Sequence, residues 1–147
     1  MDTNLKILLV EDNFEHLRLT KYILAQNKVP GEVFVVRDGQ EAMDFLYRRN
    51  RFVDPTASPR PDLILLDFNI PRVDGKEVLK TIKGDAALKD IPVVVVSSST
   101  REEDVAYAHK AGASAYISKS LAFEDLSLAL SSIHKFASTE QGPLRKQ

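Results

Sequence analysis

Short unbroken apolar runs alternate along this chain with longer segments in which apolar positions recur three and four residues apart. The runs are Ile7-Leu8-Leu9-Val10, Val33-Phe34-Val35-Val36, Leu63-Ile64-Leu65-Leu66, Val93-Val94-Val95-Val96 and the weaker Ala115-Tyr116-Ile117. Continuous runs of this length suit strands buried on both faces, the usual condition in a parallel sheet. An isolated run suits a core helix equally well, but β-branched content and flanking turn residues favour strand. Between the runs, Leu17, Leu19, Ile23 and Leu24, then Ala42, Phe45 and Leu46, then Val78, Leu79 and Ile82 keep helical spacing. Glu102 to Ala111 is less apolar, with Val105 and Ala108 on one side and Gly112 as a helix stop. Phe123, Leu126, Leu130 and Ile133 make a last helical stripe.

Strand followed by helix, repeated through the chain, predicts an α/β fold. It is a doubly wound five-stranded parallel sheet with helices on both faces. Such sheets carry their sites beyond the carboxyl ends of the strands, near the switch in strand order. Two segments fall outside the pattern. Arg48 to Pro61 reads as a long polar connection with three prolines. Residues 137–147 are polar, contain Gly142-Pro143 and are expected to form a flexible tail, leaving 1–136 as one domain.

Chemistry collects where the strands end. The first run stops at Glu11-Asp12, the third at Asp67, the fourth at Ser97, and the fifth leads to Lys119. Three carboxylates, a hydroxyl and an ammonium are thereby expected at one edge of the sheet. Clustered carboxylates repel one another unless a cation sits among them. Mg²⁺ takes oxygen ligands and needs only one or two carboxylates besides water and phosphate oxygen. Asp67 then suits a nucleophile that forms an acyl phosphate, with Lys119 and the metal offsetting phosphoryl charge.

Composition narrows the alternatives. Lys and Arg number 20 against 21 Asp and Glu, a net charge of −1, so there is no broad basic surface for non-specific nucleic-acid binding. The absence of cysteine excludes disulfides, thiolate metal sites and Cys nucleophiles. No segment resembles a signal peptide or reaches the roughly 20 apolar residues of a membrane span, so a cytoplasmic protein without an attached output domain is expected.

Four pieces of sequence, in order and each on an apolar run, resemble the receiver domains of two-component response regulators. They are Val10-Glu11-Asp12-Asn13, Leu65-Leu66-Asp67-Phe68-Asn69-Ile70-Pro71 with Asp74-Gly75, Pro92 to Ser98, and Gly112 to Lys119. The resemblance covers about residues 5 to 136. It implies the flavodoxin-like order of strands, Mg²⁺ as cofactor, and Asp67 as acceptor of a phosphoryl group from a sensor histidine kinase. It further implies Glu11, Asp12, Asp67 and the backbone carbonyl of Asn69 as the metal set. Ser97, Tyr116 and Lys119 become the phosphate-binding and switch groups, and Pro71 and Gly75 shape the loop after the acceptor. On that resemblance the chain is no enzyme with a separate substrate; it catalyses only its own phosphorylation and dephosphorylation and acts by binding an unknown downstream protein.

The chain also resembles stand-alone receivers of the chemotaxis type. The Arg48–Pro61 segment and Arg60-Pro61-Asp62-Leu63-Ile64-Leu65-Leu66-Asp67 look like regulators that partner bacterial phytochromes. That likeness, with Tyr107, Leu121 and Leu128 placed off the core stripe, suggests a homodimer through the fourth helix, fifth strand and fifth helix. One departure concerns Lys119-Ser120, where the family has Lys-Pro, commonly cis. A cis bond costs about 2.5–4 kcal/mol without proline, so this loop is expected to differ in shape.

Plainer readings exist for single residues. Glu11-Asp12 suits a helix start, Ser97-Ser98-Ser99-Thr100 a turn or cap, Tyr116 a half-buried strand aromatic, and Lys119 a solvated lysine. His16, His109 and His134 have no ligand spacing and receive no metal or catalytic role, although His16 falls near a kinase-docking face. Three rival functions fit the sequence less well. An aspartyl phosphohydrolase usually carries a second Asp where this chain has Asn69. A nucleotide or flavin module lacks its glycine-rich loop, since the six glycines lie singly. A receiver-like scaffold without phosphorylation is disfavoured by the presence of Glu11, Asp12, Asp67, Ser97 and Lys119.

Overall fold

The computed structural model describes residues 5–26, 31–70, 72–97 and 101–118, without the side chains of Ile23 and Ser118. In chain order the elements are β1 Leu5–Val10, α1 Phe14–Gln26, β2 Gly31–Val36, α2 Gly39–Tyr47, a single 3₁₀ turn Asn50–Phe52, β3 Leu63–Leu66, α3 Gly75–Gly84, β4 Val93–Ser97, α4 Glu102–Lys110 and β5 Ala115–Ser118. All strand pairs are parallel and the order across the sheet is β2-β1-β3-β4-β5. The doubly wound sheet expected from the apolar runs is therefore present. The predicted fifth helix with Phe123, Leu126, Leu130 and Ile133, the flanking Leu121 and Leu128, and the tail 137–147 lie outside the described residues.

The strands divide their side chains between two cores, as a period of two requires. Leu8, Val10, Ile64, Leu66, Val93 and Val95 face α2, α3 and α4, where Ala42, Phe45, Val78, Leu79, Ile82 and Ala108 meet them. Leu5, Ile7, Leu9, Leu63, Leu65, Val94, Val96 and Ile117 face the other way, onto Leu17 and Leu24 of α1. Burial on both faces holds for β1, β3 and β4. It does not hold for β2, whose Val33, Phe34 and Val35 are only half-buried. That strand pairs on one side alone, with β1, so its outer flank is left partly open. Within α4, Ala108 is buried and Val105 half-buried as the spacing suggests, but Asp104 is buried as well.

The Arg48–Pro61 connection is more ordered than a polar loop. α2 ends with Arg48 in the left-handed conformation (φ 54°), while Arg49 N–H donates to the Asp44 carbonyl at 2.8 Å and Arg48 N–H to that of Phe45 at 3.3 Å. The chain then turns so that Phe52 is buried, its ring edge-on to Phe45 with centroids 5.3 Å apart. Ser58, also buried, donates its hydroxyl to the Phe52 carbonyl at 2.6 Å. A carboxylate, Asp44, holds the turn from inside. It accepts from the side-chain amides of Asn50 at 2.9 Å and Gln40 at 3.0 Å, with Arg49 Nε at 3.4 Å. The Asn50 hydrogen bond, with those of Gln40 and the Arg49 charge, holds the Asp44 carboxyl below the usual range against the opposing effect of burial.

Asp44→Ala should destabilise the fold by about 1–3 kcal/mol, because it strips the acceptor from several donors at once. The folded pKa of Asp44 lies below its unfolded value. Its contribution is therefore fully present above the unfolded pKa, near 3.9, and disappears as pH falls through the folded one. Urea unfolding at neutral pH should separate wild type from Asp44→Ala, and the gap should narrow in acid; an equal gap at both pH values would contradict the assignment.

Candidate functional site

β1 and β3 are neighbours in register, with Val10 opposite Leu66. The ladder continues one residue further on both: Glu11 N–H donates to the Val36 carbonyl at 3.0 Å, and Asp67 N–H to that of Val10 at 3.2 Å. Both acidic residues therefore leave the sheet at the same level, at the point where the strand order reverses. Glu11, Asp12 and Asp67 bring one carboxylate oxygen each to within 4.8 Å of one another. Glu11 and Asp67 are buried, at 2% and 5% exposure, while Asp12 is open to solvent. Two of the carboxylates are tied locally, Asp67 Oδ1 accepting from Asn69 N–H at 2.9 Å and Glu11 Oε2 from Asn13 N–H at 3.2 Å.

The plainer reading of Glu11-Asp12 as the start of the first helix does not hold, because the cap lies one residue on. Asn13 Oδ1 accepts from His16 N–H at 3.0 Å, and the Asn13 carbonyl from Leu17 N–H at 2.9 Å, so Asn13 caps α1. Glu11 and Asp12 are thereby left to the site. His16 Nδ1 lies 3.9 Å from Glu11 Oε2. Ser97, at the end of β4, is fully buried, and the Asn69 side-chain amide donates to its Oγ at 3.5 Å. Among the expected members, Glu11, Asp12, Asp67, Asn69 and Ser97 are brought together. Lys119, with Ser120 after it, and Pro71 lie outside the described residues, as do Ser98, Ser99, Thr100 and His134. Three carboxylates at this spacing form an all-oxygen donor set, the kind that hard divalent cations select. Such a cation would also relieve their mutual repulsion.

The segment after Asp67 is held by close backbone approaches. Gly75 N–H donates to the Phe68 carbonyl at 3.1 Å, and a Cβ on Gly75 would stand 2.4 Å from Phe68 Cα and 2.5 Å from the Asp67 carbonyl oxygen. Gly39, the first residue of α2, is as tight, its hypothetical Cβ falling 1.6 Å from the Val73 carbonyl oxygen. Arg72, with φ 70°, brings its Nε to 3.5 Å from Asp38 Oδ2, and the Asp74 side chain caps α3 by accepting from Glu77 N–H at 3.0 Å. Gly75 was legible in the sequence as a loop-shaping residue; the Gly39 contact was not, since it joins segments distant along the chain.

Phe68, the residue after Asp67, is buried between two tyrosines. Its ring lies edge-on to Tyr116 at 6.0 Å and to Tyr107 at 6.2 Å. Tyr107 is thus not the spare surface apolar expected of α4. It is half-buried against the core, with its hydroxyl donating to the Lys76 carbonyl at 3.3 Å. Lys76 Nζ sits 5.4 Å over the Tyr107 ring and 2.6 Å from Asp104 Oδ1. The hydrogen bond to Asp104 raises the Lys76 ammonium above its ordinary pKa. In the sequence, Asp104 is hidden by Glu102 and Glu103, with which it reads as an ordinary acidic helix start.

Comparison with known proteins fits this geometry. The model of the response regulator receiver domain matches residues 7–131. Response regulator Rcp1 of a Synechocystis species is 41% identical over 130 residues, covering 88% of this chain and 86% of the relative. Among solved structures, the phosphorylated cyanobacterial phytochrome response regulator RcpA is 44% identical. It aligns with a TM-score of 0.79 over 90% of this chain and 93% of its own. The Mn²⁺-bound form of Rcp1 aligns at 40% identity and a TM-score of 0.78, with 90% and 93% covered.

Gly75→Ala should cost about 1–3 kcal/mol, because the added methyl meets backbone that cannot move without displacing Asp67. Gly84→Ala is the control, since nothing lies within 4 Å of a Cβ there. It should be neutral or stabilising by up to about 1 kcal/mol. Denaturant midpoints of the two variants decide it, and equal midpoints would contradict the close approach.

Proposed function

Because this chain belongs to the response regulator receiver domain family, we propose that it takes a phosphoryl group from a sensor histidine kinase onto Asp67 and signals by phosphorylation-dependent binding to another protein. The observation that supports this most is the convergence of Glu11, Asp12 and Asp67 within 4.8 Å beside buried Ser97. An Asp67 carboxylate oxygen attacks phosphorus, the bond to the histidine nitrogen breaks, and its electron pair returns to the imidazole. The product is an acyl phosphate. Asn69 N–H orients the Asp67 carboxylate for that attack. Glu11, Asp12, Asp67 and the Asn69 carbonyl would hold Mg²⁺, which when bound offsets the charge of the carboxylates and of the phosphoryl oxygens. Lys119 supplies a further positive charge. The loop from Phe68 to Gly75 is closed by Gly75 N–H donating to the Phe68 carbonyl, and in this reading Pro71 and Gly75 set its path.

In this reading Ser97 turns toward the new dianion and Tyr116 follows into the space it leaves, so the face of α4 and β5 reports the state of Asp67. The contacts of Phe68 with Tyr107 and Tyr116 support it, because they join the residue beside Asp67 to both elements. The similarity to RcpA, a phytochrome response regulator, supports a phytochrome-type kinase as the donor. The described residues contain no helix long and apolar enough to cross a membrane, in keeping with a cytoplasmic pair. In this reading the receiver spans residues 1–136. A symmetric dimer through the fourth helix, fifth strand and fifth helix is the assembly proposed for the output surface.

Asp67→Asn, nearly isosteric, should abolish labelling by acetyl phosphate with Mg²⁺ while leaving the fold intact, and Asp12→Ala should weaken labelling and Mg²⁺ binding together. Normal labelling of Asp67→Asn would end the reading. For the assembly, sedimentation at micromolar concentration should detect a dimer that Ala106→Glu, an exposed position on α4, weakens; a monomer with and without phosphoryl mimic would exclude it.

A further inference from the structure

The ordered α2–β3 connection reaches the acidic site through a chain of contacts. At the end of the β1–β2 ladder, Glu11 N–H makes the last hydrogen bond, to the Val36 carbonyl at 3.0 Å. Asp12 is already beyond the ladder, and its carbonyl accepts from Arg37 Nη2 at 3.2 Å. Arg37, the first residue after β2, is held in turn by Glu41, whose Oε1 accepts from Arg37 N–H at 2.8 Å. The other oxygen of Glu41 meets Arg51 Nη2 at 3.2 Å. Arg51 lies in the 3₁₀ turn and stacks over buried Phe52, with its guanidinium carbon 4.3 Å from the ring centroid. An aromatic anchor, two arginines and one glutamate therefore run from the connection to the peptide that carries Asp12.

We propose that Arg37 is a positioning residue for Asp12: its guanidinium fixes the loop that presents the exposed carboxylate, and the 3₁₀ turn after α2 braces Arg37 through Arg51 and Glu41. The inference rests on the reading of Glu11, Asp12 and Asp67 as a metal-binding set. Of the three, Asp12 most needs such a brace. Glu11 and Asp67 are buried and gripped by sheet hydrogen bonds, whereas Asp12 is solvent-exposed on a loop. An arginine here also has an opposite effect, since a cation near carboxylates repels a second cation. The two effects differ in sign. If Arg37 matters only by its charge, removing it tightens metal binding; if it positions Asp12, removing it loosens metal binding.

Mg²⁺ titration of the full chain, followed by backbone amide shifts at Glu11, Asp12 and Asp67, separates them. Arg37→Ala should raise the Mg²⁺ Kd about threefold to tenfold, the range of a lost charge-assisted hydrogen bond in part exposed to water. Arg37→Lys, which keeps charge and a donor, should recover part of that loss. Arg51→Ala should raise Kd by about twofold, as befits an exposed ion pair one step removed. Acetyl phosphate labelling of Arg37→Ala should return toward wild type at saturating Mg²⁺, which a general loss of structure would not allow. Unchanged or tighter Mg²⁺ binding in Arg37→Ala overturns the proposal, and wild-type affinity in Arg51→Ala overturns the part given to the turn. If the wild-type amides do not respond to Mg²⁺ at all, the metal-binding reading fails first and this one with it.

Discussion

Parallel pairing of β1 with β3 is the constraint on which the rest depends. With Val10 opposite Leu66, the next residues on the two strands are Glu11 and Asp67, and both must emerge at one level of the sheet edge. Nothing in local propensity favours bringing carboxylates to within 4.8 Å of each other; their repulsion opposes it. The gathering is imposed by the apolar strands behind them, which are buried almost completely and gain far more from burial than the acidic edge loses. A sheet so held is a rigid platform for groups that would otherwise move apart.

The two loops at this edge are held in different ways. The segment after Asp67 passes so close to Gly75 and Gly39 that neither position has room for a Cβ. Its path is therefore set by contacts with the amino ends of α3 and α2, each capped by an aspartate, Asp74 and Asp38. The loop after β1 is held differently, by the Asn13 cap of α1 and by Arg37 on the Asp12 carbonyl. One loop is clamped by steric fit and the other by hydrogen bonds that water can compete for. Disturbance of the second requires less free energy.

A connected set of contacts leads from the site to α4. Phe68 touches Tyr107 and Tyr116, Tyr107 touches Lys76, and Lys76 pairs with the buried Asp104 while Arg101 approaches the same carboxylate at 3.4 Å. A buried carboxylate with two cationic partners holds the amino end of α4 against α3 in one arrangement. Losing either partner would leave charge poorly compensated in a low-dielectric setting. That makes the position of α4 well defined, and a change at Phe68 would reach it by packing against Tyr107.

The sequence by itself determined the strands, their parallel character and the identity of the acidic edge. Uninterrupted runs such as Leu63-Ile64-Leu65-Leu66 are burial written directly into composition, and an acidic residue that ends such a run has few places to go. Gly75 was legible through the family resemblance, which implies that it shapes the loop after Asp67. Tertiary structure alone decided the remainder. Half-burial of β2 follows from its edge position, which no run of four apolar residues announces. The Arg48–Pro61 connection reads as polar because of its arginines, yet Arg49 pairs with Asp44 and Arg51 with Glu41 of α2 while Arg48 donates to the Ser58 carbonyl, and with Phe52 buried among them they become structure. Tyr107 and Asp104 are both drawn inward by partners distant in the chain, the ring by Phe68 and the charge by Lys76. Periodicity reports which residues avoid water on average; only the fold specifies which partners make burial of a charge or an arginine-rich turn affordable in free energy.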